Sequence, residues 1–153
     1  MPEIRVRTRS DILVDMVHTA RHRLSTHGQG DAHDITAAVA AAIEQSGQRA
    51  GVATVFVVGS TAVVTTIEFE SGAIADLNRV LETVAPRSDE YKHHLRWGDD
   101  NGSSHVRAAL MGPSVAVPFV DGELVLGTWQ QIMLLECDTR GRTRDVVIQV
   151  VGE

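Results

Sequence analysis

The chain has 153 residues, enough for one domain but too few for two domains of ordinary size. Hydrophobic residues make up 43% and charged residues 22%, a composition typical of globular proteins that excludes a disordered chain. The net charge of −6 argues against a nucleic-acid-binding module, because such modules carry a basic face that neutralises phosphates.

The cysteine content and the N-terminus indicate the compartment. Cys137 is the single cysteine, so the chain has neither an internal disulfide nor a thiol cluster for zinc. The N-terminal residues lack the apolar core of a secretory signal, and no apolar run approaches the roughly 20 residues that a spanning helix requires. We therefore expect a cytoplasmic protein with no membrane partner.

The first thirty residues contain one strand and one ambiguous segment. Residues 4–8 alternate apolar and polar side chains, which predicts a half-buried strand. Residues 11–17 could pair as a second strand, but a helix that begins after Ser10 and ends at Gly28 is favoured. Its apolar face would consist of Ile12, Leu13, Met16, Val17, Ala20 and Leu24.

An alanine-rich helix is predicted next, over residues 35–45. Asp34 is placed to cap its start, and Gly47 to end it. Alanine has the highest helix propensity, so this segment needs little tertiary support to be helical.

Two strands and a further helix follow. β-Branched residues predict strands over 52–58 and 61–69, with Gly59 at a bulge or sharp bend between them. An apolar stripe then predicts a helix over 74–84, which stops before Pro86.

The last forty residues fit four strands joined in pairs by turns. Asp121-Gly122 is a hairpin-turn sequence, and a second turn is predicted at residues 139–142. Consecutive strands with two or three helices set between them predict a single α+β domain with a mostly antiparallel sheet or sandwich. Because strands and helices do not alternate regularly, a doubly wound parallel sheet is not expected. The four predicted strands cover residues 114–119, 124–126, 128–137 and 146–151.

Residues 91–107 form the densest polar segment, with His93, His94 and His105 among carboxylates, hydroxyls and amides. Neutral imidazole binds metals such as zinc, and histidine also moves protons near neutral pH. Because the segment lacks hydrophobic periodicity, we expect a loop beside the core that carries functional side chains. The alternative is a solvated connection between helix and sheet.

Within this segment, His105 precedes a short helical stretch over residues 106–110. It would then lie near a helix N-terminus, where free amides and the helix dipole favour an anion such as phosphate. Arg107 would add a fork of donors suited to phosphate oxygens. The alternative is that His105 only caps the helix.

Other polar residues are weaker candidates. Glu68 and Glu70 share one side of a strand end, where either is a general base or a ligand if that side lines a cleft, and a surface charge otherwise. Trp129 is expected to pack, whereas Gln130 could face a ligand.

A second group of histidines lies near the N-terminus. His18 and His22 would share a helical face, but no third ligand sits at a matching position, so a solvated face is the favoured interpretation. His27 and His33 follow in the predicted loop, and no role is assigned to them.

Five short motifs carry the strongest signal: GSTA at 59–62, TIE at 66–68, NGSSHVRAAL at 101–110, GPS at 112–114 and GTWQQI at 127–132. In this order they resemble the YjbQ family, and with the helix start at Asp34 the resemblance covers about residues 34–153. Members of this family are small proteins often labelled secondary thiamine-phosphate synthase enzymes.

The resemblance implies an α+β fold with a mostly antiparallel sheet, a homotrimer, and a polar pocket near the subunit boundary. Arg107 stands where many relatives have lysine, and Gly59 where many have a histidine. Residues 17–33 look like an insertion into a single domain that spans residues 1–153. The motif residues of the family correspond here to Glu68, His93, Asn101, His105, Trp129 and Gln130.

Residues and resemblance together predict an enzyme that acts on a small phosphorylated substrate, with a secondary thiamine-phosphate synthase (transferase) activity as its specific form. The alternative is a non-catalytic homotrimer that binds an anion or metabolite in the same pocket, and a third interpretation gives the polar segment only a structural role at the subunit interface. Whether the protein binds a divalent metal is left open, and no metal ligands are assigned. The predicted catalytic residues are His93, His105 and Glu68, and the predicted substrate-binding residues are Asn101, Arg107, Trp129 and Gln130.

Overall fold

The computed structural model describes residues 16–153, so the strand predicted over residues 4–8 lies outside the described residues. Within that range no helix is long and apolar enough to cross a membrane. In chain order the elements are β1 (Val17–Ser25), β2 (Ala32–Asp34), α1 (Thr36–Ser46), β3 (Ala50–Val58), β4 (Ala62–Ile67), α2 (Ser71–Val84), α3 (Lys92–Trp97), α4 (Gly102–Met111), β5 (Ser114–Val120), β6 (Glu123–Leu124), β7 (Gln131–Glu136) and β8 (Thr143–Gly152).

The strands form two sheets in which every neighbouring pair is antiparallel. The larger sheet has the order β1-β8-β3-β5-β6, and the smaller one the order β2-β7-β4. The predicted α+β class with antiparallel sheets is therefore confirmed, with four helices in the described part of the chain rather than two or three.

Two apolar clusters define the layers. The larger cluster joins α1, through Val39 and Ile43, to the inner faces of both sheets, through Val55 and Leu134. The smaller cluster lies on the opposite face of the three-stranded sheet, where α2 and α4 cover it. Its buried members are Val63, Leu81, Ala108, Met133, Leu135 and Cys137.

Local sequence signals explain several element boundaries. A carboxylate oxygen of Asp34 accepts a hydrogen bond from the Thr36 amide at 2.9 Å, and Gly47 ends α1 at a φ of +68°. Asp121 and Gly122 adopt φ of +54° and +82°, the two left-handed residues of a type I′ hairpin turn between β5 and β6. Both features agree with the sequence prediction.

The helix predicted between Ser10 and Gly28 is wrong in its described part, where Val17–Ser25 forms β1. This strand pairs with β8 along its whole length. Ala20 and Leu24 are four residues apart, a spacing that places them on one face of a helix and equally on one face of a strand. The pairing with a strand far along the chain decides between the two.

Candidate functional site

The polar segment at residues 91–107 folds mostly as two helices, α3 and the start of α4, and not as the predicted loop. Gly98 ends α3 at a φ of +67°, which turns the chain towards α4. The His94 Nε2 atom accepts a hydrogen bond from the Gly102 amide at 3.2 Å. A side chain at Gly102 would overlap Tyr91, so glycine allows the two helices to approach.

His93 and His105 are brought together by this turn. Their ring centroids are 4.5 Å apart, with the ring planes inclined by 36°. The Nδ1 atom of His93 lies 3.2 Å from an oxygen of Asp99. These two atoms and the side-chain oxygen of Asn101 are buried and make no hydrogen bond with the described residues. The cluster therefore keeps polar capacity for another group.

A cavity of about 380 Å³ lies beside His105. It is bounded by the loop after β3, by one face of α4 and by the turn into β5. Its small side chains leave room for a ligand group next to the imidazole. The lining residues are Gly59, Ser60, Ala62, His105, Ala108, Ala109 and Pro113.

The N-terminus of α4 is not the anion site that the sequence suggested. The amides of Ser104 and His105 both donate to the Asn101 carbonyl oxygen, at 3.0 and 3.3 Å, and the Gly102 amide is bonded to His94. His105 lies inside the first turn and does not cap the helix. An anion in this region would therefore be held by side chains and not by these amides.

Arg107 points away from the two histidines. It is 2% exposed, and its Nε and Nη2 atoms donate to the Ala85 carbonyl oxygen at 2.9 and 2.8 Å. Nη2 also contacts a carboxylate oxygen of Glu82 at 2.5 Å, and this hydrogen bond holds the pKa of Glu82 below its ordinary value. Arg107 thus ties α4 to the end of α2, and its predicted phosphate contact is not part of the His93–His105 cluster.

Glu68, Trp129 and Gln130 lie at the other end of β4. Gln130 donates to the Thr66 hydroxyl at 3.0 Å and accepts from the Gly127 amide at 3.1 Å. Glu68 is exposed, and Trp129 is 71% exposed. Since β4 rises by about 3.3 Å per residue, its two ends are about 16 Å apart. The predicted site residues therefore do not form one pocket in a single chain. His93, Asn101 and His105 form one group, Glu68, Trp129 and Gln130 form a second, and Arg107 lies apart from both.

Glu70 caps a helix and does not belong to the candidate site. It is the N-cap of α2, where its carboxylate accepts hydrogen bonds from the amides of Gly72, at 2.8 Å, and Ala73. The strand ends at Ile67, so Glu68 and Glu70 do not share a strand face as the sequence suggested.

The N-terminal histidines do not form a metal site. His18 and His22 lie on the half-buried face of β1, and the nearby His27 and His33 rings both approach one oxygen of Asp31, at 3.1 and 2.9 Å. Burial raises the pKa of Asp31, but hydrogen bonds from His27 and His33 outweigh it, so the pKa is lowered. Among residues 16–153, no three His, Cys, Asp or Glu side chains are placed to hold one metal ion.

A buried ionic network next to the cavity was missed by the sequence prediction. Glu136 is fully buried and accepts from Arg144 Nε at 2.7 Å and Nη2 at 2.5 Å. The Thr26 hydroxyl donates to the same carboxylate at 2.7 Å. The sequence signal for this network lies in β8, where the alternation of the strand places Arg144 on the same inward face as Val146. The network joins the two sheets.

Gly59 borders both the network and the cavity. Its φ is +156°, and a Cβ atom at this position would lie only 2.7 Å from Nη1 of Arg144. The guanidinium therefore occupies the space that a side chain at residue 59 would take. This explains physically why glycine stands here, where the resemblance implies histidine in many relatives.

Comparison with known sequences confirms the predicted resemblance. The family model described as UPF0047 protein YjbQ-like matches residues 20–153. A UPF0047 protein of Methanothermobacter thermautotrophicus is 36% identical over 137 residues, which cover 90% of this chain and 94% of the relative. The UPF0047 protein YugU of Bacillus subtilis is 30% identical over 131 residues, covering 85% and 96%.

Solved structures agree with this result. A YbjQ-like protein of unknown function from Sulfolobus solfataricus superposes with a TM-score of 0.80 at 30% identity, covering 90% of this chain and 99% of that one. A hypothetical protein from Aeropyrum pernix gives a TM-score of 0.80 at 30% identity, covering 88% and 98%. Sequence and fold together show that the chain belongs to the UPF0047 YjbQ-like family.

Proposed function

We propose that the protein is an enzyme that acts on a small phosphorylated substrate, with His93 and His105 moving protons in the reaction. The observation that carries the proposal is the contact between these two rings, 4.5 Å apart, at the edge of the cavity that His105 lines. Two imidazoles in contact with each other, one of which lines a cavity, are suited to general acid and base roles near neutral pH.

Asp99 supports this assignment. Its carboxylate oxygen lies 3.2 Å from Nδ1 of His93 without the alignment of a hydrogen bond, and a small rotation of either side chain would align the two atoms. The aligned hydrogen bond would hold the ring with Nε2 free to act as the base. A protonated imidazole would donate its proton to the leaving oxygen. The second imidazole would act as a base only on a nucleophile that carries a proton, which the ring nitrogen of a thiazole does not. The free oxygen of Asn101 is available to accept a hydrogen bond from the substrate.

We further propose that the protein is a homotrimer and that the site is completed between subunits. Glu68, Trp129 and Gln130 lie about 16 Å from the cavity along β4 in the same chain. A neighbouring copy could supply this second group to the histidine cluster. The outer face of the five-stranded sheet offers an apolar contact surface, with Phe56 42% exposed and Val120 56% exposed.

The specific form of the proposal is a transferase reaction of the thiamine-phosphate synthase kind, in the cytoplasm. In such a reaction a pyrimidine diphosphate and a thiazole phosphate are joined, and diphosphate leaves. We assign no step to a metal ion, since no suitable group of three ligands exists among the described residues. Protonation of the leaving diphosphate is then the step that a histidine would assist.

Steady-state assays of thiamine phosphate formation test the proposal. We expect His105→Ala and His93→Ala to lower kcat by about 10² to 10⁴-fold, the usual contribution of a general acid or base. His27→Ala is the matched control, because His27 is a solvent-exposed histidine outside the cluster.

The outcomes separate the two main interpretations. Equal rates in the wild type and both histidine variants would overturn the catalytic assignment. A wild-type protein that binds inorganic phosphate through His105 but turns over neither substrate would instead favour the non-catalytic anion-binding trimer.

A further inference from the structure

The cavity beside His105 contains two hydrogen-bonding side chains. Of the seven lining residues that the structure describes, five are glycine, alanine or proline. The other two are Ser60 and His105. Among these residues, only two side chains can therefore form hydrogen bonds with a ligand in the cavity. One lies on the loop after β3 and the other on helix α4.

Ser60 is exposed, but the residues around it are held firmly. Thr61 is 5% exposed, and its hydroxyl oxygen accepts a hydrogen bond from Nη2 of Arg144 at 2.8 Å. The same hydroxyl donates to Asp138 at 3.1 Å, and the Thr61 carbonyl oxygen accepts from the Cys137 amide at 3.0 Å. The bend that carries Ser60 is thus anchored to the buried network.

Arg144 also contacts this bend from beneath. Its Nη1 atom occupies the side-chain space of Gly59, 2.7 Å from the position of a Cβ atom. The guanidinium itself is fixed by Glu136, which accepts from Nε and Nη2. Arg144 therefore contacts the bend on both sides of Ser60, at Gly59 and at Thr61.

We propose that Ser60 binds the substrate across the cavity from His105, and that Arg144 is the positioning residue that holds Ser60 there. This inference rests on the proposed function, from which the phosphoryl group of the ligand is taken. A serine hydroxyl that donates to a phosphate oxygen makes a charge-assisted hydrogen bond, stronger than one between neutral groups. Ser60 contributes to binding and not to proton transfer.

A titration with inorganic phosphate, observed through the His105 ring in ¹H–¹⁵N NMR spectra, tests the Ser60 contact. We expect phosphate to shift the His105 signals in the wild type. Ser60→Ala should raise the phosphate dissociation constant about tenfold, whereas Ser60→Thr, which keeps the hydroxyl, should stay close to the wild type. Ser88→Ala is the control, because Ser88 is an exposed serine away from the cavity.

The role of Arg144 is tested at Gly59, because substitution of Arg144 would leave Glu136 unpaired in the core and could unfold the chain. Gly59→Ala places a methyl group against Nη1 while all charged groups remain. We expect it to weaken phosphate binding about tenfold with Ser60 unchanged. Gly47→Ala is the control for a methyl group at a positive φ without a steric contact, since Gly47 has a φ of +68°, against +156° at Gly59, and no atom within 4 Å of the new methyl group.

The results distinguish the two proposals. If phosphate shifts His105 equally well in the wild type and in Ser60→Ala, the Ser60 contact is wrong, while the proposed function stands. If Gly59→Ala binds phosphate like the wild type, Arg144 does not position the bend. If phosphate leaves His105 of the wild type unchanged, the phosphorylated substrate of the proposed function is itself contradicted.

Discussion

The carboxylate of Glu136 is fully buried and has no contact with water. Two nitrogens of Arg144, the Thr26 hydroxyl and the Asp138 amide all donate to it, so the charge is compensated from several directions. A buried pair of this kind contributes little net stability when intact, but the loss of one partner leaves the other charge unpaired.

Glu136→Gln should therefore be strongly destabilising. We expect the free energy of unfolding, measured with urea, to fall by about 3–5 kcal/mol, because Arg144 stays buried without its counter-charge. The control is Glu123→Gln at an exposed position, where the change should remain within about 0.5 kcal/mol. An unchanged urea midpoint for Glu136→Gln would show that the network is not a closed ion pair in solution.

Cys137 gives a second prediction at the residue scale. Burial, followed by the charge of Glu136, raises the pKa of this thiol to about 12. At pH 8 only about one thiol in 10⁴ is then ionised, so a disulfide reagent such as DTNB should not react with the native protein. The same reagent should titrate one thiol per chain in denaturant. Rapid reaction of the native protein would contradict the burial of Cys137.

At the scale of elements, the sequence predicts those that depend on local signals. Helix α1 has the Asp34 carboxylate bonded to its first amide, high alanine content and a terminating Gly47. The β5–β6 hairpin has its Asp121-Gly122 turn. Strand β1 depends instead on β8, more than a hundred residues later. Two half-buried histidines lie on the inner face of β1, where a sequence pattern expects apolar residues. They therefore hide the alternation that would indicate a strand. No local pattern shows such a partner.

The candidate site was predictable to a similar extent. His93 and His105 are close in the chain, so one turn between two helices brings them together. Ser60 lines the cavity from the bend after β3, and Arg144 of the distant strand β8 contacts that bend through Thr61, which only the folded structure shows. Helix α3 has no buried residue and so gives no apolar periodicity, which is why its segment resembled a loop.

Two neighbouring glutamates provide a test at the start of α2. Glu70→Ala should lower the free energy of unfolding by about 1 kcal/mol, because the first amides of the helix lose their cap. Glu68→Ala is the matched variant: it should leave stability unchanged in urea titrations, and reduce activity if Glu68 serves the site. Equal losses of stability in both variants would contradict the capping role of Glu70.

At the scale of the whole molecule, the outer face of the five-stranded sheet is apolar over several adjacent strands. Val52 on β3 lies opposite Val151 on β8 and is 40% exposed, while Val151 is 43% exposed. Phe56 and Val58 continue this surface along β3. Thr54 and its partner Gln149 interrupt the patch between Val52 and Phe56. Exposed apolar side chains grouped in this way still mark a contact surface. It fits the homotrimer that we propose.

Phe56→Glu should therefore break the assembly, because a charge would replace the aromatic ring at the contact. Size-exclusion chromatography with light scattering should give the mass of a single chain, with helix and strand content retained in circular dichroism. Ala41→Glu, on the exposed face of α1, should leave the trimer intact. A trimer of unchanged mass in Phe56→Glu would exclude this face from the interface.

Native mass spectrometry of untagged protein after incubation with inorganic phosphate tests the proposed site most directly. A purification tag is left out because its histidines would bind ions themselves. We predict a trimer that carries phosphate in the wild type, and a trimer of the same stoichiometry without phosphate in His105→Ala. A wild-type monomer, or phosphate retained equally in His105→Ala, would contradict a ligand site built around His93 and His105 where subunits meet.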